Sequence, residues 1–219
     1  MNYHWDFGDV LHYWPLFETG LGYTLGFTLI SAVIGMVTGA LLTLLRRSGW
    51  KILSVPAVAF VEVFRCTPAL VQLVWCYYAL PVVLGITLSP MMAALLALSC
   101  YGAAFYSEIF RAGLDTVDIG QWDAAYALGM RPFTALRRVI GPQAFKIMVA
   151  PLVSQFVLQL KNTSLVSVVT VPDLVYQGQM VASATYKPLE VYTTIAIIYF
   201  AILFPITQVA RILERRYHV

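Results

Sequence analysis

The sequence predicts an all-α, polytopic membrane protein of about five transmembrane helices, and three observations carry that prediction. Of its 219 residues, 60% are hydrophobic and only 11% are charged, too little polar surface to coat a water-soluble globule of this size. Apolar runs recur near or above the roughly 20 residues that a helix needs to cross about 30 Å of hydrocarbon. Basic residues gather at the ends of alternate runs, which is how a fixed orientation in the bilayer is written.

The first run covers 21–45 and closes on Arg46, Arg47 and Lys51. Asp6, Asp9 and Glu18 precede it with no basic residue, unlike a cleavable leader, so this run is expected to be retained. The second region, 53–84, is too long for one straight helix and is interrupted by Pro56, the Glu62 and Arg65 pair, Thr67-Pro68 and Pro81. It reads as one broken span. A third span, 88–110, exits on Glu108 and Arg111, and a fourth, 143–169, follows Pro142, a good first-turn residue. Pro172 to Pro188 reads as a short extramembrane helix with a loop, and a fifth span, 189–212, closes on Arg211, Glu214, Arg215 and Arg216. A single transmembrane domain then accounts for 1–219.

This layout sorts the 14 basic residues strongly. Arg46, Arg47, Lys51, Arg111, Arg131, Arg137, Arg138, Lys146, Arg211, Arg215 and Arg216 fall on one side, Lys187 on the other, and Arg65 and Lys161 at membrane depth. The crowded side is cytoplasmic by the positive-inside rule. An odd number of spans puts the amino terminus outside and the carboxyl terminus in the cytoplasm.

Between the third and fourth spans, 112–141 forms a polar, basic loop with helical character. Gly120-Gln121-Trp122-Asp123-Ala124-Ala125-Tyr126-Ala127-Leu128-Gly129 reads as a short helix stopped by glycine, and Arg131-Pro132 as the start of another. Such a knob beside a membrane is a place where another protein can push. As an isolated pattern it also fits an interfacial amphipathic helix, and Arg131, Arg137 and Arg138 also fit contact with anionic headgroups.

Most chemistry is excluded. No GxxxxGK[ST] loop is present to cradle ATP phosphates, and neither HExxH nor GxSxG organises a metal or a serine nucleophile. His4, His12 and His218 sit near the ends. Cys66, Cys76 and Cys100 lie in apolar surroundings without metal-ligand spacing and read as packing residues. The net charge of +3, without aromatic-interleaved basic patches, gives no support to nucleic-acid binding. Gly22-x-x-x-Gly26 and Gly35-x-x-x-Gly39 read as helix-packing positions.

Polar residues at membrane depth are the more informative set, since a central Arg or Lys costs about 2.5–3.5 kcal/mol on insertion scales and needs a partner or a wet cavity. Arg65 stands one turn after Glu62, so an internal ion pair and a ligand contact are both open. Lys161-Asn162-Thr163-Ser164 mixes donors and acceptors inside a span, the combination that matches a carboxylate and an ammonium near the midplane. Gln155 and Gln159 share its helical face, with Gln72 and Tyr77 opposite. For these, interhelical hydrogen bonding is the competing reading.

The knob, Gln121-x-Asp123-Ala124-Ala125-x-x-x-Gly129 followed by Ile140-Gly141-Pro142, resembles the EAA signature of membrane subunits of bacterial ATP-binding-cassette importers. Asp123 stands where that family has glutamate, and Gly141 where it has leucine. Phe64-Arg65-Cys66-Thr67-Pro68, Tyr106-Ser107-Glu108-Ile109-Phe110-Arg111-Ala112-Gly113, the Lys161-Asn162-Thr163-Ser164-Leu165 block and Leu213-Glu214-Arg215-Arg216 look like its polar amino-acid permease branch.

That resemblance implies an inner-membrane permease that translocates a polar amino acid by alternating access and breaks no bond itself. It implies a dimer of ATPase subunits carrying the ATP and Mg, with no cofactor on this chain, a second permease copy or sister permease, and an extracytoplasmic amino-acid-binding protein. Gly120, Gln121, Asp123, Ala124, Ala125, Leu128, Gly129 and Arg131 would couple to the ATPase. Arg65, Thr67, Gln72, Gln155, Gln159, Lys161, Asn162, Thr163 and Ser164 would line the substrate pathway. Many relatives have aspartate where Asn162 stands, which leans the substrate toward an acidic or neutral amino acid. A passive solute channel, and a structural half of a heterodimer that binds nothing, are the alternatives.

Overall fold

The computed structural model describes residues 3–217, with side chains to Ile212 and Leu213 at the carboxyl end; Glu214, Arg215, Arg216 and His218 lie outside the described side chains. After a short helix, α1 (Gly8–His12), the chain enters α2 (Trp14–Arg46). This helix begins earlier than the apolar run predicts. Pro15 occupies its first turn, and Trp14 Nε1 donates to Glu18 Oε1 at 2.6 Å, so Glu18, of the polar residues before the run, is folded into the helix. Its 33 residues, at about 1.5 Å each, make a rod longer than the hydrocarbon layer.

The second region breaks where its proline lies. Helix α3 (Lys51–Cys66) ends at Thr67, whose φ of −108° and ψ of 140° are the extended geometry forced on a residue before proline. Helix α4 (Ala69–Val74) then leaves in a new direction and runs through a π-helical turn, Trp75–Ala79, into α5 (Leu80–Leu84), the two arms bent by 111°. Counted as one span, this pair makes five membrane-crossing units among the described residues, together with four helical stretches long and apolar enough to cross alone.

Helix α6 (Pro90–Asp115), capped by the Ser89 hydroxyl, is the central post. Gly35 and Gly39 of α2 approach its backbone so closely that a Cβ on Gly39 would stand 2.9 Å from Ala103 O and 2.9 Å from Ser107 N. Those two glycines are therefore packing positions, as the spacing predicts, whereas a Cβ on Gly22 or Gly26 would meet open space. Against α6 also pack α3, through Ala57, Val61, Ala103 and Ala104, and α4, through Leu73, Ala97 and Leu98.

Beyond α6 come the knob helices α7 (Ile119–Ala127) and α8 (Pro132–Ala135), a π-helical turn Leu136–Ile140, and α9 (Gly141–Asn162). The fourth span does not stay α-helical to 169: it tightens to a 3₁₀ run over Thr163–Val169 that ends at Thr170 with φ +62°. Helix α10 (Leu174–Thr185) is the predicted short helix, and α11 (Pro188–Tyr217) closes the bundle. At the end opposite the knob, Lys187 Nζ pairs with the Asp6 and Asp9 carboxylates, and Tyr3 donates to Glu190 at 2.6 Å, strapping the amino-terminal segment across the start of α11.

Gly39→Ala is expected to cost about 1–3 kcal/mol, because backbone atoms and not flexible side chains receive the new methyl. Gly22→Ala should be near neutral. Thermal unfolding of the two variants in nanodiscs checks the pair, and equal melting temperatures would contradict the packing described.

Candidate functional site

The knob is built to be rigid at its root and apolar at its tip. Asp118 caps α7, accepting from Gly120 N at 2.6 Å, and the helix stops where Gly129 takes φ +74° while Met130 N returns to Ala125 O at 3.1 Å. A residue with a Cβ is disfavoured at that φ, which is why glycine stands there. Ala125 and Ala135 turn inward, and Trp122 joins Val117, Leu136, Ile140, Ala144 and Met148 in one cluster that seats the knob on α6 and α9. Gln143 Nε2 donates to Gln121 Oε1 at 3.2 Å across the same joint.

The outward side differs. Ile119, Leu128 and Phe133 are 76%, 78% and 73% exposed, and Gly120, Gln121, Asp123, Ala124 and Arg131 are exposed around them. Large apolar side chains held on a stiff polar-rimmed protrusion mark a surface that another macromolecule covers. The two alanines of the motif therefore do different things: Ala125 lets α7 lie close to its own bundle, and Ala124 keeps the outer face low.

Arg65 is drawn into an ion cluster in the knob half of the bundle. Glu108 of α6 accepts from Arg46 and from Arg111, the latter at 2.8 Å, and lies 3.7 Å from Arg65, which is also 3.7 Å from Glu62. Asp115 extends the network to Arg47 and Arg111. One half-buried carboxylate thus ties α2, α3 and α6 together where their basic residues crowd, and the sequence pair Glu62 and Arg65 is only its edge.

Two glutamines serve the frame. Gln72 Nε2 donates to Phe64 O, Thr67 O and Thr67 Oγ1 at 2.7, 2.9 and 2.8 Å, clamping the bend between α3 and α4. Gln159, fully buried, donates to Ser31 Oγ and Leu98 O, both at 2.9 Å, joining α9 to α2 and α6. Thr67 is half-buried at the bend.

Lys161, Asn162, Thr163 and Ser164 stand at the change from α-helix to 3₁₀ helix, and the geometry splits them. Thr163 is fully buried, Lys161 is exposed on the side of the bundle, and Asn162 and Ser164 lie between these extremes. Asn162 faces the hydroxyl of Tyr101, which sits near the midpoint of α6 and hence near the middle of the bundle's depth. Gln155, two helical turns before Asn162, is buried with its amide Nε2 unpartnered. Tyr101 was not legible from the sequence as a site residue, because a tyrosine in an apolar run looks like packing. Ser31 and Thr24, which anchor buried polar contacts, are hidden in the same way.

Comparison with known proteins fits this arrangement. Residues 31–219 match the family model described as binding-protein-dependent transport system inner membrane component. The chain belongs to this family of inner-membrane permeases. The L-cystine transport system permease protein TcyB of Bacillus subtilis (strain 168) is 36% identical over 93% of this chain and 87% of its own length. The arginine transport system permease protein ArtQ of the same organism is 33% identical over 96% of each chain. The glutamate/aspartate import permease protein GltK of Escherichia coli O157:H7 is 33% identical, covering 98% of this chain and 99% of its own. A solved structure described as an amino acid ABC transporter with histidines superposes with a TM-score of 0.90 at 36% identity, over 98% of this chain and 100% of that one. The permease is thus a multi-pass membrane component, and its EAA motif is typical of the family.

Glu108→Gln should destabilise the permease by about 1–3 kcal/mol, since it removes the negative charge shared by three guanidinium groups. Glu62→Gln, at an exposed edge, should cost under about 1 kcal/mol. Melting temperatures in matched lipid check the order, and a larger loss for the Glu62 variant would overturn the assignment of Glu108 as the centre.

Proposed function

We propose that this chain is the permease subunit of an ATP-driven importer for a polar amino acid, working by alternating access, with ATP hydrolysed on separate ATPase chains. The observation that carries the reading is the knob: a capped helix, rooted on two membrane helices, with Ile119, Leu128 and Phe133 held outward. A soluble motor can tilt buried helices only through a stiff protrusion, and a seat of this kind fits a socket on such a motor. Gly120, Gln121, Asp123, Ala124, Leu128, Gly129 and Arg131 form the coupling surface, and Ala125 holds it in place. A channel has no use for such a lever.

The substrate contacts we assign to Asn162, Ser164 and Lys161, with Gln155 and Tyr101 alongside, near mid-depth. Support comes from the exposure of Lys161 on a spanning segment: a lysine cannot rest against lipid tails there at little cost, so it faces a wet path or a second permease subunit. Arg65, Thr67, Gln72, Gln159 and Thr163 hold the shape of that path. With an amide at Asn162 and another at Gln155, no carboxylate is offered to a cationic side chain, which favours a neutral or acidic amino acid. The relatives named for cystine and for glutamate and aspartate are in keeping with this, and the one named for arginine marks the other outcome.

Orientation follows from the charge crowd. Arg46, Arg47, Arg111 and the knob share one end, which we place in the cytoplasm with the carboxyl terminus, leaving the amino terminus and α10 outside to meet an extracytoplasmic binding protein. Terminal tags should be accessible on opposite faces.

Gly129→Pro cannot adopt φ +74° and should uncouple ATP hydrolysis from uptake while membrane insertion is retained. Uptake that persists without ATPase association would favour a channel instead. Asn162→Ala should weaken substrate affinity about tenfold, and Asn162→Asp should move preference toward cationic amino acids, both read as competition in reconstituted vesicles. Unchanged competition would place recognition on another subunit.

A further inference from the structure

Helix α10 is seated at the end of the bundle opposite the knob by very close contacts. A Cβ on Gly20 of α2 would stand 2.8 Å from Leu174 Cα and 2.9 Å from Asp173 O, and one on Gly178 of α10 would strike Ile195 of α11. Leu174 N donates to Thr24 Oγ1 of α2 at 3.1 Å. The seat is therefore a groove between α2 and α11 that admits α10 in one position.

At the start of that seat lies a carboxylic acid with no exposure at all. Asp173 Oδ1 caps α10 by accepting from Tyr176 N at 2.9 Å, while Oδ2 is buried without a partner. From α11 the Tyr199 hydroxyl, also buried, lies near enough to feel the Asp173 charge and sits beside Thr24 of α2 and Thr163 of the 3₁₀ run. Among the described residues no charged side chain acts on Asp173: its neighbours are backbone N–H groups of its own helix start, and from α2 only the Thr24 hydroxyl and the Gly20 backbone. Every other carboxylate described at this end of α11 and the amino-terminal strap has a strong partner, Asp6 and Asp9 with Lys187 and Glu190 with Tyr3.

We propose that Asp173 is a proton-sensitive latch: neutral, it lets α10 lie sealed in the groove between α2 and α11, and ionised, it drives α10 to lift so that the carboxylate reaches water. The capping bond stabilises the anion through the helix dipole, but complete burial of an unpaired oxygen acts against it and is the larger effect. Burial pushes the Asp173 carboxyl up to about 6, with the backbone hydrogen bonds from Tyr176 and Val175 opposing it in part. The protonated acid carries no charge, so burying it costs far less than burying the anion. Because the acid is weaker when α10 is seated than when it is lifted, the seated form is fully favoured below the ordinary aspartate range. That preference is lost as pH rises through about 6. Helix α10 also packs against the 3₁₀ run that begins at Thr163, so lifting α10 loosens that contact as well. The latch itself stands on contacts within this chain and not on the transport reading.

Hydrogen exchange of the α10 amides in the full chain, reconstituted in nanodiscs and corrected for the intrinsic pH dependence of exchange, tests the latch. Between about pH 4 and pH 7 the opening equilibrium of α10 should rise about 10- to 100-fold in the wild type. Asp173→Asn keeps the cap and the shape, and should leave α10 protected at every pH. Correct folding of that variant is read from unchanged exchange in α2 and α6. Infrared difference spectra give a second reading: with the D173N spectrum subtracted as background, a protonated-carboxyl band should appear in the wild type as pH falls through about 6. A wild-type α10 whose protection does not change with pH, or a D173N variant that still titrates, overturns the proposal. Loss of transport without these changes would bear on the function proposed above and not on the latch.

Discussion

Water is absent from the interior of a bilayer, so a polar group that this chain carries into the bundle is costly unless another part of the chain or a wet cavity answers it. That requirement explains more of the structure than hydrophobic burial does, because lipid tails offer a leucine as good a home as a neighbouring helix. Helices meet where glycines let backbones touch, at Gly35 and Gly39 against Gly102 to Ser107, and where amides reach across, at Gln159 to Ser31 and Leu98. Thr43 Oγ1 adds a hydrogen bond to Ser107 O at 3.0 Å on the same contact. The α2 and α6 pair is the frame on which α3, α4 and α9 are hung.

Charge follows the same accounting at the knob end. Arginine guanidiniums from α2, α3 and α6 converge on Glu108, so three helices that could slide past one another are held in register by a single acceptor. Such a cluster is worth more as a specifier of alignment than as a source of net stability, since partial desolvation offsets much of the attraction. Glu108 adjoins Ile109 and Phe110 of α6, which pack into the root of the knob, so the ion cluster and that root share one stretch of helix.

The number of spans, the break at Thr67-Pro68, the knob with its glycine stop and the short helix before the last span were legible in the sequence because each depends on local chemistry. Composition fixes a span, proline forces an extended predecessor, and a left-handed turn selects glycine. What was not legible depends on pairs distant along the chain. Glu108 as the meeting point of Arg46 and Arg65 joins residues 62 and 43 positions apart, and for Gln159 the sequence allows interhelical hydrogen bonding without naming Ser31 as the partner 128 positions away. The early start of α2 escaped because Trp14 and Glu18 satisfy each other within the helix, which composition does not reveal. Asn162 and Ser164 keep both readings open, since their contacts within the chain, to Tyr101 and to Lys161 O, leave each of them partly exposed.

One amide, that of Gln72, holds three oxygen atoms across the corner where α3 becomes α4. With two N–H donors shared among oxygens of Phe64 and Thr67, the joint resists flexing, although its outline looks like that of a hinge. The two arms of the corner therefore form a single bracket, which rests on α6 through α3 and α4. Two arms fixed at one angle turn together, so a tilt of either arm is felt at the far end of the other.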